Sequence, residues 1–252
     1  MLTLSKKIWR SLQSDGLSET IYKIAKYPWR EDWHSVEQRV LSRQTLEERF
    51  TEIYRSPNYW GSRKTVSGHG STMLSTESLR SGLPALFVKF SIESIFDAPC
   101  GDFSWMRDVI GKSDLAYIGG DIVSPLIEAL KSKYEDAKTK FVHIDLTKEE
   151  FPKADLMICR DCLFHLSFED ARKILQNFAA SKISYLLTST HIHTSEFRNV
   201  DIVAGRFRPI DLFIAPYNLP RDVLYRIEDW RAPYQPREMC LWTKDQIAAS
   251  LK

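Results

Sequence analysis

Between residues 94 and 189, short apolar runs rich in Ile, Val, Leu and Phe alternate with segments of helical periodicity. That alternation constrains the fold more than any other feature of the chain. Parallel strands need long crossover connections, so strand and helix taken in turn predict a doubly wound, mostly parallel α/β sheet. The pattern places strands over 94–97, 116–121, 140–145, 156–160 and 184–189. Helices are predicted over 103–110, 124–134 and 168–180, the last behind an N-cap at Ser167. After residue 190 the alternation stops. A loop rich in Arg and Pro leads to strand patterns at 223–230 and 238–243, expected as an antiparallel hairpin on the sheet edge.

Ahead of this region two further zones are expected, 1–43 and 44–90, with the α/β domain over 91–252. The first combines Lys6, Lys7, Arg10, Lys23, Lys26 and Arg30 with Trp9, Trp29 and Trp33. Ile8, Leu12, Ile21 and Ile24 fall near helical spacing. A basic helical arm of this kind suits a peripheral membrane surface or a partner, or packs as a solvated extension. The second zone opens with a helix over 45–54, followed by a Gly/Ser/Thr-rich stretch, Trp60 to Thr72, that reads as an ordered lid. A helix over 72–81 is expected to end at Gly82, with Pro84 beyond it.

Composition excludes several classes. The net charge of +2 gives no global case for nucleic-acid binding. No apolar run approaches the ~20 residues of a membrane span. Nor does an apolar core with a small-residue cleavage site stand at the N-terminus, so a cytoplasmic protein is expected. Cys159 and Cys162 have CxxC spacing, but no second pair completes a zinc site. They read as half-buried thiols in a reducing compartment.

Ligands of open α/β sheets bind at the carboxyl ends of the strands. Asp97, Asp121, Asp145 and Asp161 all stand at or beside such predicted ends. One strand-end aspartate is an ordinary turn residue; four along one edge describe a site. Asp97 runs into Ala98-Pro99-Cys100-Gly101-Asp102, where Gly101 allows close approach of the backbone. Asp121 follows that turn by about 20 residues, a spacing that sets an acid against ribose hydroxyls. The loop matches neither GxGxxG nor GxxxxGK[ST]. A carboxylate in the first loop repels phosphate and suits an ammonium group.

The stretch from Ser94 to Leu175 resembles the core of the class I S-adenosylmethionine-dependent methyltransferases. Residues 95–102 resemble their first motif, Tyr117-Ile118-Gly119-Gly120-Asp121-Ile122-Val123 the second, His143-Ile144-Asp145-Leu146 the third, and residues 155–166 the fourth strand with its loop. Only Gly101 of the usual three glycines is kept; Pro99 and Phe103 occupy the other two places. The resemblance implies a seven-stranded Rossmann-like methyltransferase sheet and S-adenosylmethionine as cofactor. Its candidate ligands are Asp97, Pro99, Gly101, Asp121, Ile122, Asp145, Leu146 and Arg160, with Trp60 from the lid. Trp60-Gly61-Ser62 through Gly70-Ser71, together with the loop after Asp97, resembles a bacterial subgroup of uncharacterised or saccharide-linked methyltransferases.

Methyl transfer to an alcohol needs alignment, exclusion of water and a proton acceptor. Asp161 and His165 are the candidates for positioning or base roles. His191 and His193, with Arg206 and Arg208 in an aromatic-rich loop, are candidates for binding the acceptor. The expected acceptor is a small molecule or glycan methylated on oxygen. N-methylation of a small molecule or protein side chain is the alternative, as is a degenerate cofactor fold that only binds a partner.

Overall fold

The computed structural model describes residues 33–56, 59–60, 65–193, 196–232 and 234–252. The basic arm expected over 1–43 falls mostly outside them, as do residues 61–64 of the lid stretch. The chain divides into two units, Met1–Arg39 and Val40–Lys252. Of the first, only the opening of helix α1 (Trp33–Ser42) is described.

In the second unit seven strands pair into one sheet: β1 (Ser94–Asp97), β2 (Ala116–Asp121), β3 (Thr139–His143), β4 (Leu156–Cys159), β5 (Tyr185–His191), β6 (Tyr225–Glu228) and β7 (Arg237–Thr243), in the order β3-β2-β1-β4-β5-β7-β6. The first five are parallel, and β7 runs antiparallel to both β5 and β6. The order reverses between β1 and β4, which makes their carboxyl ends the switch point. All four residues of β4 are buried, as a central strand covered on both faces requires.

Helices α2 (Leu46–Arg55), α3 (Glu77–Lys89), α4 (Met106–Ile110), α5 (Ser124–Tyr134), α6 (Phe168–Ala180) and α7 (Lys244–Ser250) complete the unit. Neighbouring strand residues point to opposite faces, and two cores follow. Ile95, Tyr117, Ile158 and Leu187 pack with Leu79, Leu83 and Leu86 of α3. Phe96, Met157, Leu186 and Trp242 pack with Ile174 and Phe178 of α6. Capping is legible in sequence: Thr45 and Glu48 form a capping box, and the Ser167 hydroxyl accepts from the Asp170 amide.

Two predicted helices are corrected. The segment 72–81 is not a helix stopped by glycine; turns precede Glu77, and α3 continues through Gly82 and Pro84 to Lys89. Burial of Leu79, Leu83, Leu86 and Phe87 outweighs the breaker residues. Gly82 provides room: a Cβ there would stand 3.0 Å from Ile227 Cγ2. The helix predicted from residue 103 begins only at Met106, because Phe103 lies at φ +58°, outside helical geometry. Strand ends also shift. β3 stops at His143 and β4 at Cys159, so Asp145 and Asp161 sit in the loops beyond them, while β5 extends to His191.

Candidate active site

The chain leaves β1 at Asp97 and turns through Gly101, whose φ of +54° is the left-handed conformation that glycine adopts without strain. A Cβ at Gly101 would lie 2.4 Å from Ser67 Oγ. The lid stretch is clamped onto this turn: the Asp102 amide donates to Ser67 Oγ at 3.0 Å, and the Thr65 hydroxyl donates to the Asp102 carboxylate. Phe103 holds a second positive φ, where the resembled motif has glycine. Its ring is buried against Tyr117, Phe141 and Tyr134, with centroids 4.9, 5.2 and 5.6 Å away. Aromatic packing offsets the roughly 1–2 kcal/mol that a left-handed residue with a side chain costs.

Asp121 braces the turn from β2. Its oxygens accept from the Gly101 amide at 3.2 Å and the Val123 amide at 3.1 Å. Asp97 accepts from the Tyr117 hydroxyl at 2.8 Å. Burial pushes both acids up, Asp97 to about 7 and Asp121 to about 6; the Tyr117 hydroxyl and the two amides oppose it. Each is therefore an acid whose charge becomes favourable when a cation or hydroxyl donors arrive.

At the third strand Asp145 closes a turn. Its Oδ1 accepts from the Thr147 amide and hydroxyl at 3.0 and 2.7 Å, and Lys148 lies 2.8 Å from Oδ2. Burial raises this carboxyl, but Lys148 and Thr147 more than compensate and leave it below its ordinary value. Leu146 is buried, and its carbonyl accepts from Asn177. The Ile122 carbonyl meets His143 Nε2 at 3.0 Å, and His143 also faces Glu47 at 3.2 Å. Arg49 donates to the Ala204 carbonyl at 3.3 Å. Helix α2 thus reaches from the end of β3 to the loop after β5.

Beyond β4 lies a buried charge network. Arg160 donates through Nε and Nη2 to Asp229, 2.9 Å each, and through Nη2 to the Gly70 carbonyl, also 2.9 Å. Arg237 stands 3.0 Å from Asp229 and 2.9 Å from Asp161 Oδ1; Arg160 reaches Asp161 Oδ2 at 3.3 Å. Burial opposes the charge on Asp161, but Arg160 and Arg237 hold its carboxyl below the usual range. Asp161 sits at φ +53°, and a Cβ on Gly70 would fall 2.4 Å from its Oδ2. Its Oδ1 is buried, held by the Arg237 ion pair without an aligned hydrogen-bond donor.

His165 lies below Trp60, ring centroids 4.1 Å apart, and its Nδ1 meets the Arg206 carbonyl at 2.9 Å. Burial lowers His165 to about 4, with the Arg206 carbonyl and Asp161 opposing. His191 is buried at the end of β5. His193 stands past the strand, stacked on Phe197 and 2.8 Å from Gln235 Nε2. Asp97, Gly101, Asp121, Arg160 and Asp161 therefore converge on the switch point, with Trp60, His165 and His191 beside them. Arg208 does not join them: its guanidinium is buried on the Leu166 carbonyl, the Tyr217 hydroxyl and the Phe168 ring. Arg206 contributes its main chain, and its side chain is exposed.

Sequence reasoning missed Asp229, Arg237, Ser67 and Thr65. Asp229 lies in the first strand of the predicted edge hairpin and Arg237 just before the second, but no spacing links them to Arg160. The peptide before Pro99 is cis. Among the described residues no group of His, Cys, Asp and Glu is arranged to hold a metal, and all four cysteines are free and buried. No helix among the described residues is long and apolar enough to cross a membrane.

No protein-family model and no curated protein matches the chain significantly. Solved structures do match in fold. The 1,6-didemethyltoxoflavin-N1-methyltransferase of Burkholderia thailandensis, solved with bound 1,6-didemethyltoxoflavin and S-adenosylhomocysteine, superposes with a TM-score of 0.55 at 12% identity, over 80% of this chain and 92% of that one. The methyltransferase domain of bacterial CtHen1 gives 0.52 at 13% identity, over 68% and 98%. Human N-acetylserotonin methyltransferase, solved with S-adenosylmethionine, gives 0.51 at 13%, over 95% and 67%.

Proposed function

We propose, from a chain that has the fold of the class I S-adenosylmethionine-dependent methyltransferases, that it transfers a methyl group from that cofactor to an oxygen of a small-molecule or saccharide acceptor. The observation that carries this reading is the Gly101 turn, braced by Asp121 and roofed by Ser67, with the buried Asp97 beside it.

The residues fit the cofactor. Asp97, raised by burial, would recover its charge against the methionine ammonium, and Asp121 would receive ribose hydroxyls. Asp145 Oδ2 keeps a lone pair beyond the one facing Lys148, enough for an adenine amino group. Ile122 and Leu146 would flank the ring. Phe103 keeps the left-handed backbone conformation that a glycine would provide, which supports a working cofactor loop over a degenerate one. When bound, the cofactor supplies an electrophilic methyl group on a sulfonium.

Asp161, oriented by Arg160 and Arg237, would face that positive centre. His165, uncharged near neutral pH, would take the acceptor proton. Trp60 and the stretch 65–72 would exclude water, which strengthens every polar contact inside. The acceptor side, with neutral imidazoles among aromatic rings, suits a polyhydroxylated or aromatic small molecule better than a nucleic acid. The basic arm would supply any contact with a membrane surface or partner. Calorimetry with S-adenosylmethionine and S-adenosylhomocysteine tests the assignment. Binding at micromolar to sub-millimolar concentration is expected, and none at millimolar concentration ends it.

A further inference from the structure

His165 and His191 share two aromatic neighbours. Their ring centroids lie 4.7 and 5.2 Å from Phe164, and 5.8 and 6.0 Å from Phe207. Both rings interact electrostatically with Asp161. The main chain decides where each carries its proton. His165 Nδ1 lies 2.9 Å from the Arg206 carbonyl. A carbonyl only accepts, so Nδ1 bears the hydrogen and Nε2 is left with a lone pair. At His191 the Ile210 amide donates to Nδ1 at 3.2 Å. An amide N–H only donates, so here Nδ1 bears the lone pair, and the hydrogen is on Nε2. Neither Nε2 hydrogen-bonds to a described residue.

The charged surroundings agree with neutral rings. Burial lowers His165 to about 4; Arg237 and Arg208 press the same way, against the Arg206 carbonyl and Asp161. Burial lowers His191 to about 4 as well, with Arg237 and His193 acting alongside, against Asp161.

We infer that His165 and His191 are an opposed tautomer pair that reads a neutral hydroxyl acceptor, the hydroxyl donating to His165 Nε2 while it accepts from His191 Nε2–H, and that the pair thereby selects oxygen over amine nitrogen. The inference rests on the methyltransferase reading above and makes His191 a specificity-determining residue. A hydroxyl oxygen has two lone pairs and one proton. One pair attacks, the second accepts from His191, and the proton goes to His165. A neutral amine has one lone pair, and the His191 N–H competes for it; an ammonium has none and meets the positive charge of Arg237. In the transfer an oxygen–carbon bond forms as the carbon–sulfur bond breaks with its electron pair left on sulfur. The hydroxyl proton passes to His165 Nε2, giving an imidazolium that faces the Asp161 carboxylate and later releases the proton to water.

Long-range proton–nitrogen NMR of the full-length protein with bound S-adenosylhomocysteine reads both rings directly, with assignments from His165→Gln and His191→Asn. At pH 7 the expected spectrum shows His165 protonated at Nδ1 and His191 at Nε2. The reverse pattern, or an imidazolium at either position, overturns the inference. In parallel, radiolabelled methyl groups transferred to a host-cell extract are treated with hydriodic acid, which frees O-methyl groups as methyl iodide under conditions that spare N-methyl groups. Release is expected, and retention overturns the proposal. His191→Asn keeps an acceptor for the Ile210 amide and loses the Nε2 donor. Its transfer rate should fall roughly 10²-fold, the effect of removing one aimed donor, with S-adenosylhomocysteine affinity unchanged; an unchanged rate counts against the role. If the unmodified protein binds no S-adenosylhomocysteine, the methyltransferase reading itself fails. Binding with the wrong tautomers removes only this inference.

Discussion

Arg160 places two nitrogens on the Asp229 carboxylate, 2.9 Å each, across 69 positions of sequence and with both side chains almost fully buried. Breaking a buried pair from one side leaves an uncompensated charge, at about 3–5 kcal/mol. Asp229→Ala leaves two guanidinium groups sharing the single carboxylate of Asp161, one buried positive charge in excess, so its urea-denaturation free energy should drop by that amount. Arg160→Met combined with Asp229→Leu should lose less than the single variant. A drop under about 1 kcal/mol for Asp229→Ala would mean the network is not closed as described.

Phe103 supports a reversal of the ordinary Ala/Gly order. Phe103→Ala removes a buried ring, a loss of about 3–5 kcal/mol, and retains the strain of φ +58°. Phe103→Gly loses the same ring and is released from that strain. We expect the glycine variant to be the more stable by about 1 kcal/mol, measured by thermal or urea denaturation. Alanine proving better would show that the backbone relaxes once the ring is gone.

Asp121 should matter to ligand more than to fold. Asp121→Ala is expected to weaken S-adenosylhomocysteine binding by roughly 1–3 kcal/mol, the loss of charge-assisted hydrogen bonds, in calorimetry at pH 8. Unchanged affinity would remove the ribose from this position.

Ligand affinity should fall with acid. With Asp97 raised to about 7 and Asp121 to about 6, both are ionised at pH 8 and protonated by pH 5, where neither offers a charge. S-adenosylhomocysteine affinity should therefore decline as pH drops through 7 and then 6. Stability of the free protein should run the other way. The folded state keeps protons that the unfolded chain gives up near pH 4, so these two groups favour the fold below that pH and lose this contribution as pH rises through their folded values. A flat affinity profile between pH 5 and 8 would count against Asp97 as the ammonium site.

Part of the candidate site's geometry is legible in the sequence. Asp97, Gly101 and Asp121 were marked by strand-end position and spacing, and the structure joins Gly101 to Asp121 by a hydrogen bond. Asp161 and His165 were marked by their place after β4. Loop composition points Arg208 toward the acceptor, because composition does not say which way a long side chain turns. Here the Leu166 carbonyl and the Tyr217 hydroxyl draw it inward. Local propensity alone ends helix α3 at Gly82, whereas burial of its apolar face carries it on to Lys89.

The sequence by itself determined the alternation of strand and helix, the sheet it implies and the acidic edge, because periodicity and strand ends are local properties. Tertiary structure alone decided that Asp229 and Arg237 close a charge network around Arg160 and Asp161, that Ser67 roofs Gly101, and that His165 Nδ1 meets a main-chain carbonyl while His191 Nδ1 meets a main-chain amide. Each depends on which main-chain or charged atom is brought near from a distant segment. Hydrogen bonds and buried ion pairs act over a few ångströms, and no spacing along the chain records that proximity.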